Sequence, residues 1–514
     1  MEISEPRIAR RDFMALAALA AGGMAFGKAA SAAGRATRIV DMGAVELSSA
    51  IRTRAVSCVE VMTAFLDRIE ALNPRVNAIV ALQDRGDLIA QARRHDAHLA
   101  AREPVGPLHG FPHAVKDLVP VRGMPFTQGS PIFRNFIAQA DALQVERLRR
   151  AGAIIIGKTN TPEFGLGSHT FNPVYGATRN AFDQSRSAGG SSGGAAVALA
   201  LRMVPLADGS DYGGSLRNPA GWNDVYGFRT SIGRVPAGAK DEWLPSMGVA
   251  GPMARNVADL ALLLSVQAGF DPRAPLSLEG GGEAFMRPPP QDFRGKRIAW
   301  SGNFGGAVPF EPEVLATCRA ALRSFEAMGC TVEEASPEYP VERAWQAFVK
   351  LRGWQQGGAL LEYYEDPARR ALLKPEAIYE VEQGLAMSAA DVTTNSVIRS
   401  EWGRAVRELF AHFDYWVVPT AQLFPFDVEM RWPARIAGQE MRTYHEWMKA
   451  VCLVTLSGCP SLAAPAGFSA GGLPIGIQII APVHAELKCL QLAAAFEQAN
   501  RSNLARRPAL LESA

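Results

Sequence analysis

Ala188-Gly189-Gly190-Ser191-Ser192-Gly193-Gly194 runs without a break into Ala195-Ala196-Val197-Ala198-Leu199-Ala200. Taken alone, a glycine and serine run reads as a flexible tether. The small apolar residues that follow make a buried helix instead, so the serines and glycines sit at its N-terminus, where amides and hydroxyls gather. Twenty-four residues beyond Ser191, Ser215 closes a second cluster, Gly209-Ser210-Asp211-Tyr212-Gly213-Gly214-Ser215. Upstream, Lys116 lies in the apolar stretch Ala114-Val115-Lys116-Asp117. Glycine lets backbone N–H groups approach a ligand closely, and a serine ending such a run exposes its hydroxyl where they converge. The pattern holds a nucleophile, a relay and a base, which is the equipment of acyl transfer.

Around these clusters, residues 108 to 232 alternate short apolar runs with Gly, Pro, Ser and Asn. Ala153-Ile154-Ile155-Ile156 reads as a buried strand between helical stretches, the texture of an α/β sheet. Earlier, Ser57-Cys58-Val59-Glu60 has capping-box spacing and predicts a surface helix that opens the mature domain and stops at Asn73-Pro74. Later, residues 253 to 270 read as a helix, Lys296-Arg297-Ile298-Ala299-Trp300 as a strand, and 310 to 410 as helix-rich. Tyr415-Trp416-Val417-Val418 and Pro474 to Ile480 return to the strand pattern. A sheet built from distant parts of the chain favours one large domain over residues 38–512 with a helical insertion: a large mixed β-sheet core covered by helices on both faces.

The composition bounds the function. Of 514 residues, 53 are Lys or Arg and 51 Asp or Glu, a net charge of +2, so no broad basic field exists for a nucleic-acid partner. Six cysteines show no C-x-x-C spacing and no histidine cluster, which leaves metal and redox sites unsupported and buried thiols the default. Residues 1–32 read as a twin-arginine signal peptide: Arg10-Arg11 before a short apolar run, then Ala30-Ser31-Ala32. Used as such, it places the protein in the periplasm or outside the cell; unused, it leaves the chain cytoplasmic. The apolar run is too short to span a bilayer comfortably, and no other segment reads as transmembrane.

Several motifs compete. Gly152-Ala153-Ile154-Ile155-Ile156-Gly157-Lys158-Thr159 matches the nucleotide phosphate loop letter for letter, but three consecutive isoleucines are stiff strand formers where that loop must turn. His109 and His113 are separated by Gly110 and Pro112, which argues against a helix presenting both to a metal. They and His169 read as structural, with His169 in a loop near the serines. No Gly-x-Ser-x-Gly elbow supports a Ser-His-Asp triad. The aromatics Trp345, Trp354, Tyr363, Tyr364, Trp432, Tyr444 and Trp447 read as core before pocket.

Gly110-Phe111-Pro112-His113-Ala114-Val115-Lys116-Asp117, the Ala188–Gly194 run and Gly209 to Ala220 together resemble the amidase signature family of serine hydrolases. Flanking stretches similar to the family include Gly157-Lys158-Thr159-Asn160, Gly251-Pro252-Met253 and Gly472-Leu473-Pro474-Ile475-Gly476. The resemblance implies the family's sheet fold and a Ser-Ser-Lys triad. Ser215 attacks the carbonyl, Ser191, held through a cis peptide bond, relays the proton, and Lys116 is the base. The base must be neutral, which burial favours. Asp117 faces away if Lys116 lies on a strand.

The amides of Tyr212, Gly213, Gly214 and Ser215 are the implied oxyanion hole, with Tyr212 where the family's pattern has a smaller side chain. Gly165 and Ser191 are the implied substrate contacts. Ser192 is a neighbour of the triad, and Asp211 and Arg217 form an ion pair that holds the loop. Neither metal nor organic cofactor is required. The implied reaction cleaves a small-molecule carboxamide to an acid plus ammonia or amine, with no nucleic-acid partner and a homodimer left open. Two alternatives stand beside it: the glutaminase subunit of a tRNA-dependent amidotransferase, and a non-catalytic periplasmic binding protein that uses the glycine loops as an anion nest.

Overall fold

The computed structural model describes residues 38–512 apart from 239, 240, 245, 287 and 501–505; the leader read over residues 1–32 lies outside them. At Ser57 the hydroxyl accepts from the Glu60 N–H at 3.1 Å, and Glu60 Oε2 accepts from the Ser57 N–H at 2.9 Å, the reciprocal cap that the spacing predicts. Two expectations about this helix are corrected. A helix over Ala44–Arg52 precedes it, and it runs through Pro74 to Val76 before Asn77 turns left-handed at φ 52°. Proline in the last turn removes one hydrogen bond, and the buried side chains of Ile69, Leu72 and Val76 hold the turn to the core. The helix is therefore a core element as much as a surface one.

Two sheets carry the fold. The smaller has β1 (Ile79–Val80), β2 (Pro112–Lys116) and β3 (Ile154–Thr159) in the order β1-β3-β2, with β2 and β3 parallel. Ile154, Ile155 and Ile156 are all buried in β3. Each is worth roughly 1.5–3 kcal/mol inside the core, which a phosphate loop at this place would forfeit. Lys158 accordingly points into the protein, 3.6 Å from Asp117 and bonded to the Val119 carbonyl.

The larger sheet has eight strands: β4 (Ala207–Asp211), β5 (Tyr226–Arg229), β6 (Val249–Ala254), β7 (Arg297–Trp300), β8 (Thr331–Glu334), β9 (Tyr415–Pro419), β10 (Ser461–Phe468) and β11 (Pro474–Ile480). Their order is β8-β7-β9-β11-β10-β5-β6-β4, parallel from β8 to β9 and antiparallel thereafter. This is the mixed sheet that the scattered strand signals predicted. The helix expected over 253 to 270 begins only at Val257, because Asn256 caps it by accepting from the Asp259 N–H at 2.8 Å, while Met253 and Ala254 end β6.

Helices flank the large sheet. Val257–Gln267, Pro312–Ala327 and Glu486–Ala499 form one packed group against it, and Gly193–Ala200 with Arg217–Trp222 form another. Between β8 and β9 the chain inserts Val341–Glu365, Pro367–Arg370, Pro375–Leu385 and Ala389–His412, the helix-rich region read from the sequence. The small sheet meets the large one where β2 packs on the edge strand β4. Asp208 of β4 fastens the junction, with Oδ1 2.9 Å from His113 Nε2 and Oδ2 accepting from the Lys116 N–H at 3.3 Å. His113 and His109 thus have separate partners, since His109 lies against His95, Nδ1 to Nδ1 at 3.3 Å.

Candidate active site

Lys116 ends β2 with its side chain fully buried. Its Nζ lies 2.7 Å from Ser191 Oγ, 2.8 Å from Ser192 Oγ and 3.0 Å from Ser210 Oγ. Burial lowers its pKa to about 7; Asp208 and Asp211 pull the other way without winning. A neutral amine has two N–H bonds and one lone pair. With three hydroxyl oxygens around it, the amine donates to two and accepts from the third. Asp117, the next residue, turns the opposite way as strand alternation predicts and accepts from the Thr127 hydroxyl at 2.5 Å. Burial pushes its carboxyl up, against the pull of Lys158.

Ser191 follows a cis peptide from Gly190, and Ser192 is the N-cap of the helix Gly193–Ala200. The turn is crowded enough to require glycine on both sides. A Cβ on Gly190 would stand 2.9 Å from Thr170 Oγ1, and one on Gly194 2.4 Å from the Asn160 nitrogen. The Ser192 N–H donates to the Ser215 carbonyl at 3.2 Å, tying the two serine clusters together through the main chain. The Ser215 hydroxyl itself makes no hydrogen bond to the described residues, so the Lys116–Ser191 contact is formed while Ser215 is left to meet a ligand.

The loop before Ser215 is fixed by Asp211. Its carboxylate accepts from the Gly214 N–H at 2.9 Å, the Leu216 N–H at 3.0 Å and Arg217 Nε and Nη2 at 2.9 Å each. Arg229 Nη1 donates to the Asp211 carbonyl at 2.7 Å. Burial alone would raise this carboxyl; Arg217 and Arg229 hold it well below the usual range. The ion pair expected between Asp211 and Arg217 is therefore present and fully buried. It corrects the expected oxyanion hole at one position. Gly214 has its N–H turned to Asp211, whereas the N–H groups of Tyr212, Gly213 and Ser215 meet no acceptor among the described residues.

Gly165 completes this floor. At φ 69° it sits so close that a Cβ would lie 3.5 Å from Ser191 Oγ and 2.7 Å from Leu118 Cδ1. His169, in the same stretch, is turned away: Nε2 donates to the Val428 carbonyl at 2.9 Å and Nδ1 faces Ser187 Oγ at 2.7 Å, with its pKa lowered by burial to about 4. It touches none of the three candidate residues. Ser192 and Ser210 hold the amine directly, a role the sequence signalled only by their places inside the two motifs.

The inserted helices roof these loops. Phe348 Cζ stands 3.7 Å from where a Gly213 Cβ would be, the Arg352 guanidinium lies 4.9 Å from the Tyr212 ring centre, and the Tyr212 hydroxyl donates to Gln355 Oε1 at 2.6 Å. Tyr444 stands 3.8 Å from a Cβ at Gly167. Trp345, Tyr444 and Trp447 are buried core, as their density suggested; Trp354, Tyr363, Tyr364 and Trp432 are half-buried. No helix among the described residues is long and apolar enough to cross a membrane.

The sequence profile of the family described as "Amidase" matches residues 60–490. An acylamidase from Rhodococcus erythropolis is 35% identical over 464 residues, 89% of this chain and 95% of that protein. The A subunit of a glutamyl-tRNA(Gln) amidotransferase from Dechloromonas aromatica (strain RCB) is 33% identical over 476 residues, 88% of this chain and 96% of that one. Among solved structures, a bacterial aryl acylamidase of the amidase signature family superposes with a TM-score of 0.84 at 29% identity, covering 91% of this chain and 99% of its own. The chain belongs to the amidase signature family and is a serine hydrolase of that family.

Proposed function

We propose that the protein is an amidohydrolase that cleaves a small-molecule carboxamide to a carboxylic acid plus ammonia or amine through an acyl-enzyme on Ser215. The observation that carries this reading is the buried Lys116 amine, 2.7 Å from Ser191 Oγ beside a loop that offers three unclaimed amides. Ser192 and Ser210 accept the amine's two protons, which directs its lone pair at the Ser191 hydroxyl. Ser191 passes its proton to Lys116 as it takes the proton of Ser215, and Ser215 Oγ adds to the carbonyl carbon. The developing oxyanion is met by the N–H groups of Tyr212, Gly213 and Ser215. Each well-aimed donor lowers the barrier by roughly 3–4 kcal/mol. Collapse returns the proton through Ser191 to the leaving amine, and water enters by the reverse relay to release the acid.

A hydrolysis screen over aliphatic amides, arylamides, amino-acid amides and glutamine, with Ser215→Ala as the blank, tests the reading. Turnover by the variant equal to wild type overturns it.

A second reading, glutaminase component of an amidotransferase, draws on the likeness to amidotransferase A subunits at 32–35% identity. It requires ammonia release from glutamine coupled to a partner chain. Export through the leader and homodimer formation belong to the first reading. Cell fractionation with Arg10 and Arg11 replaced by lysine, and light scattering of the purified protein, check them.

A further inference from the structure

The turn that brings Gly165 to Ser191 is held from the inserted helices. Phe164 has φ 52° and ψ 18°, and Gly165 follows at φ 69°, so two successive residues lie in the left-handed region. Glycine takes that conformation freely. A bulky phenylalanine does not, and such a residue persists only where its surroundings over-determine it. Local bonds supply part of the restraint: Gly165 N–H to the Pro162 carbonyl at 2.8 Å, Leu166 N–H to the Glu163 carbonyl at 3.1 Å, and Phe164 N–H to the Gln128 carbonyl at 2.8 Å.

The remaining restraint comes from far along the chain. Lys374, which precedes the helix Pro375–Leu385, donates its Nζ to the Leu166 carbonyl at 2.6 Å and its backbone N–H to Glu163 Oε2 at 3.2 Å. Glu163 is fully buried, and its other oxygen accepts from the Ser130 hydroxyl at 2.6 Å. Burial lowers the Lys374 pKa to about 8, but amine and ammonium both carry N–H bonds, so the contact to Leu166 stands in either form. The Phe164 ring stacks on Tyr363 of the helix Val341–Glu365, with centroids 6.0 Å apart and planes at 9°. Leu166 packs with Leu360, Leu373, Ala377 and Val381 in a small apolar cluster separate from the main core. The apolar side chains of the turn are thus built against the insertion, while its glycine lies against Ser191, where a Cβ would stand 3.5 Å from Oγ.

We infer that Lys374 is a positioning residue for the reaction: with Glu163 it clasps the strained Phe164–Gly165 turn against Ser191, so that the inserted helices set where the turn lies relative to the relay hydroxyl. The inference rests on the amidohydrolase reading, in which Ser191 stands between Ser215 and Lys116. Neither contact of Lys374 involves Lys116, Ser191 or Ser215, so its effect passes through the turn. Without the clasp, the turn relaxes toward an ordinary backbone conformation and its contact with Ser191 is lost.

The test measures the second-order rate at which a fluorophosphonate labels Ser215, at a temperature well below each variant's melting midpoint. Lys374→Met keeps the apolar stem and removes the donor to Leu166; it is expected to label at least tenfold more slowly than wild type. Lys374→Arg restores a donor and is expected to label within threefold of wild type. In Glu163→Gln one amide oxygen replaces two carboxylate oxygens, so the bond from Ser130 or from Lys374 is lost, and a fall of at least threefold is expected. A merely structural role would lower the melting temperature of these variants and leave the labelling rate of the folded protein unchanged. Labelling of K374M at the wild-type rate, or a loss that K374R does not recover, overturns this inference alone. Absence of label on Ser215 in wild type overturns the amidohydrolase reading and this inference with it. Should K374M fail to fold by its melting curve, E163Q decides: the expected fall supports the clasp, and a wild-type rate overturns it.

Discussion

Lys116 Nζ and Ser191 Oγ stand 2.7 Å apart with both side chains buried, and the lysine pKa there falls to about 7. The base and relay of the proposed mechanism are thus in contact before any substrate arrives. At neutral pH about half of the amine is already in the form that accepts a proton.

This sets the pH profile. The proposed relay requires the neutral amine, so kcat/KM is expected to rise with pH, tenfold per unit, and to level off above an apparent pKa of about 7. Initial rates on one good amide between pH 5 and 9 check it. A profile flat through this range would remove Lys116 from the role of base.

The same shift appears in stability. The folded state holds the lysine at a pKa of about 7 and the unfolded state near its ordinary 10.5, so between those values the unfolded chain binds more protons. Wild type is therefore expected to gain stability on Lys116→Met as pH rises from 7 to 10, by up to about 1.4 kcal/mol per unit. Denaturant melts of both proteins at pH 7, 8.5 and 10 measure the difference. The variant is expected to be inactive at all three.

Asp211→Asn leaves Arg217 and Arg229 buried without a carboxylate and weakens the acceptor for two loop amides. Breaking such a pair costs about 3–5 kcal/mol. The urea midpoint is expected to fall accordingly, with activity lost beyond what unfolding explains.

Gly165→Ala puts a methyl 2.7 Å from Leu118 Cδ1 and 3.5 Å from Ser191 Oγ at a left-handed φ of 69°. The backbone cost is about 1–2 kcal/mol. A modest drop in melting temperature with at least a tenfold fall in kcat/KM is expected. A fall in melting temperature alone would place Gly165 outside the substrate path.

Much of this was legible in local chemistry. The Ser57–Glu60 box, the β3 isoleucines and the glycine-serine helix start each depend on neighbours within a few residues. The strand Thr331–Glu334 was not, because its Thr-Val-Glu-Glu lies at the sheet edge, where burial is too slight to leave an apolar pattern. Gly214 was read as an oxyanion donor because its motif shows glycine, not the direction of its N–H; only the fold turns that group to Asp211. The roof had no local signal at all. Arg352, Glu380 and His445 are brought together by packing of an inserted helix region over loops more than a hundred residues earlier in the chain.

The most direct measurement is covalent labelling with a fluorophosphonate followed by peptide mapping. One adduct is expected, on Ser215, formed faster as pH rises through about 7 and abolished in Lys116→Met. An adduct on a different residue, or labelling of Ser215 at the same rate in the lysine variant, would contradict the relay from Ser215 through Ser191 to Lys116.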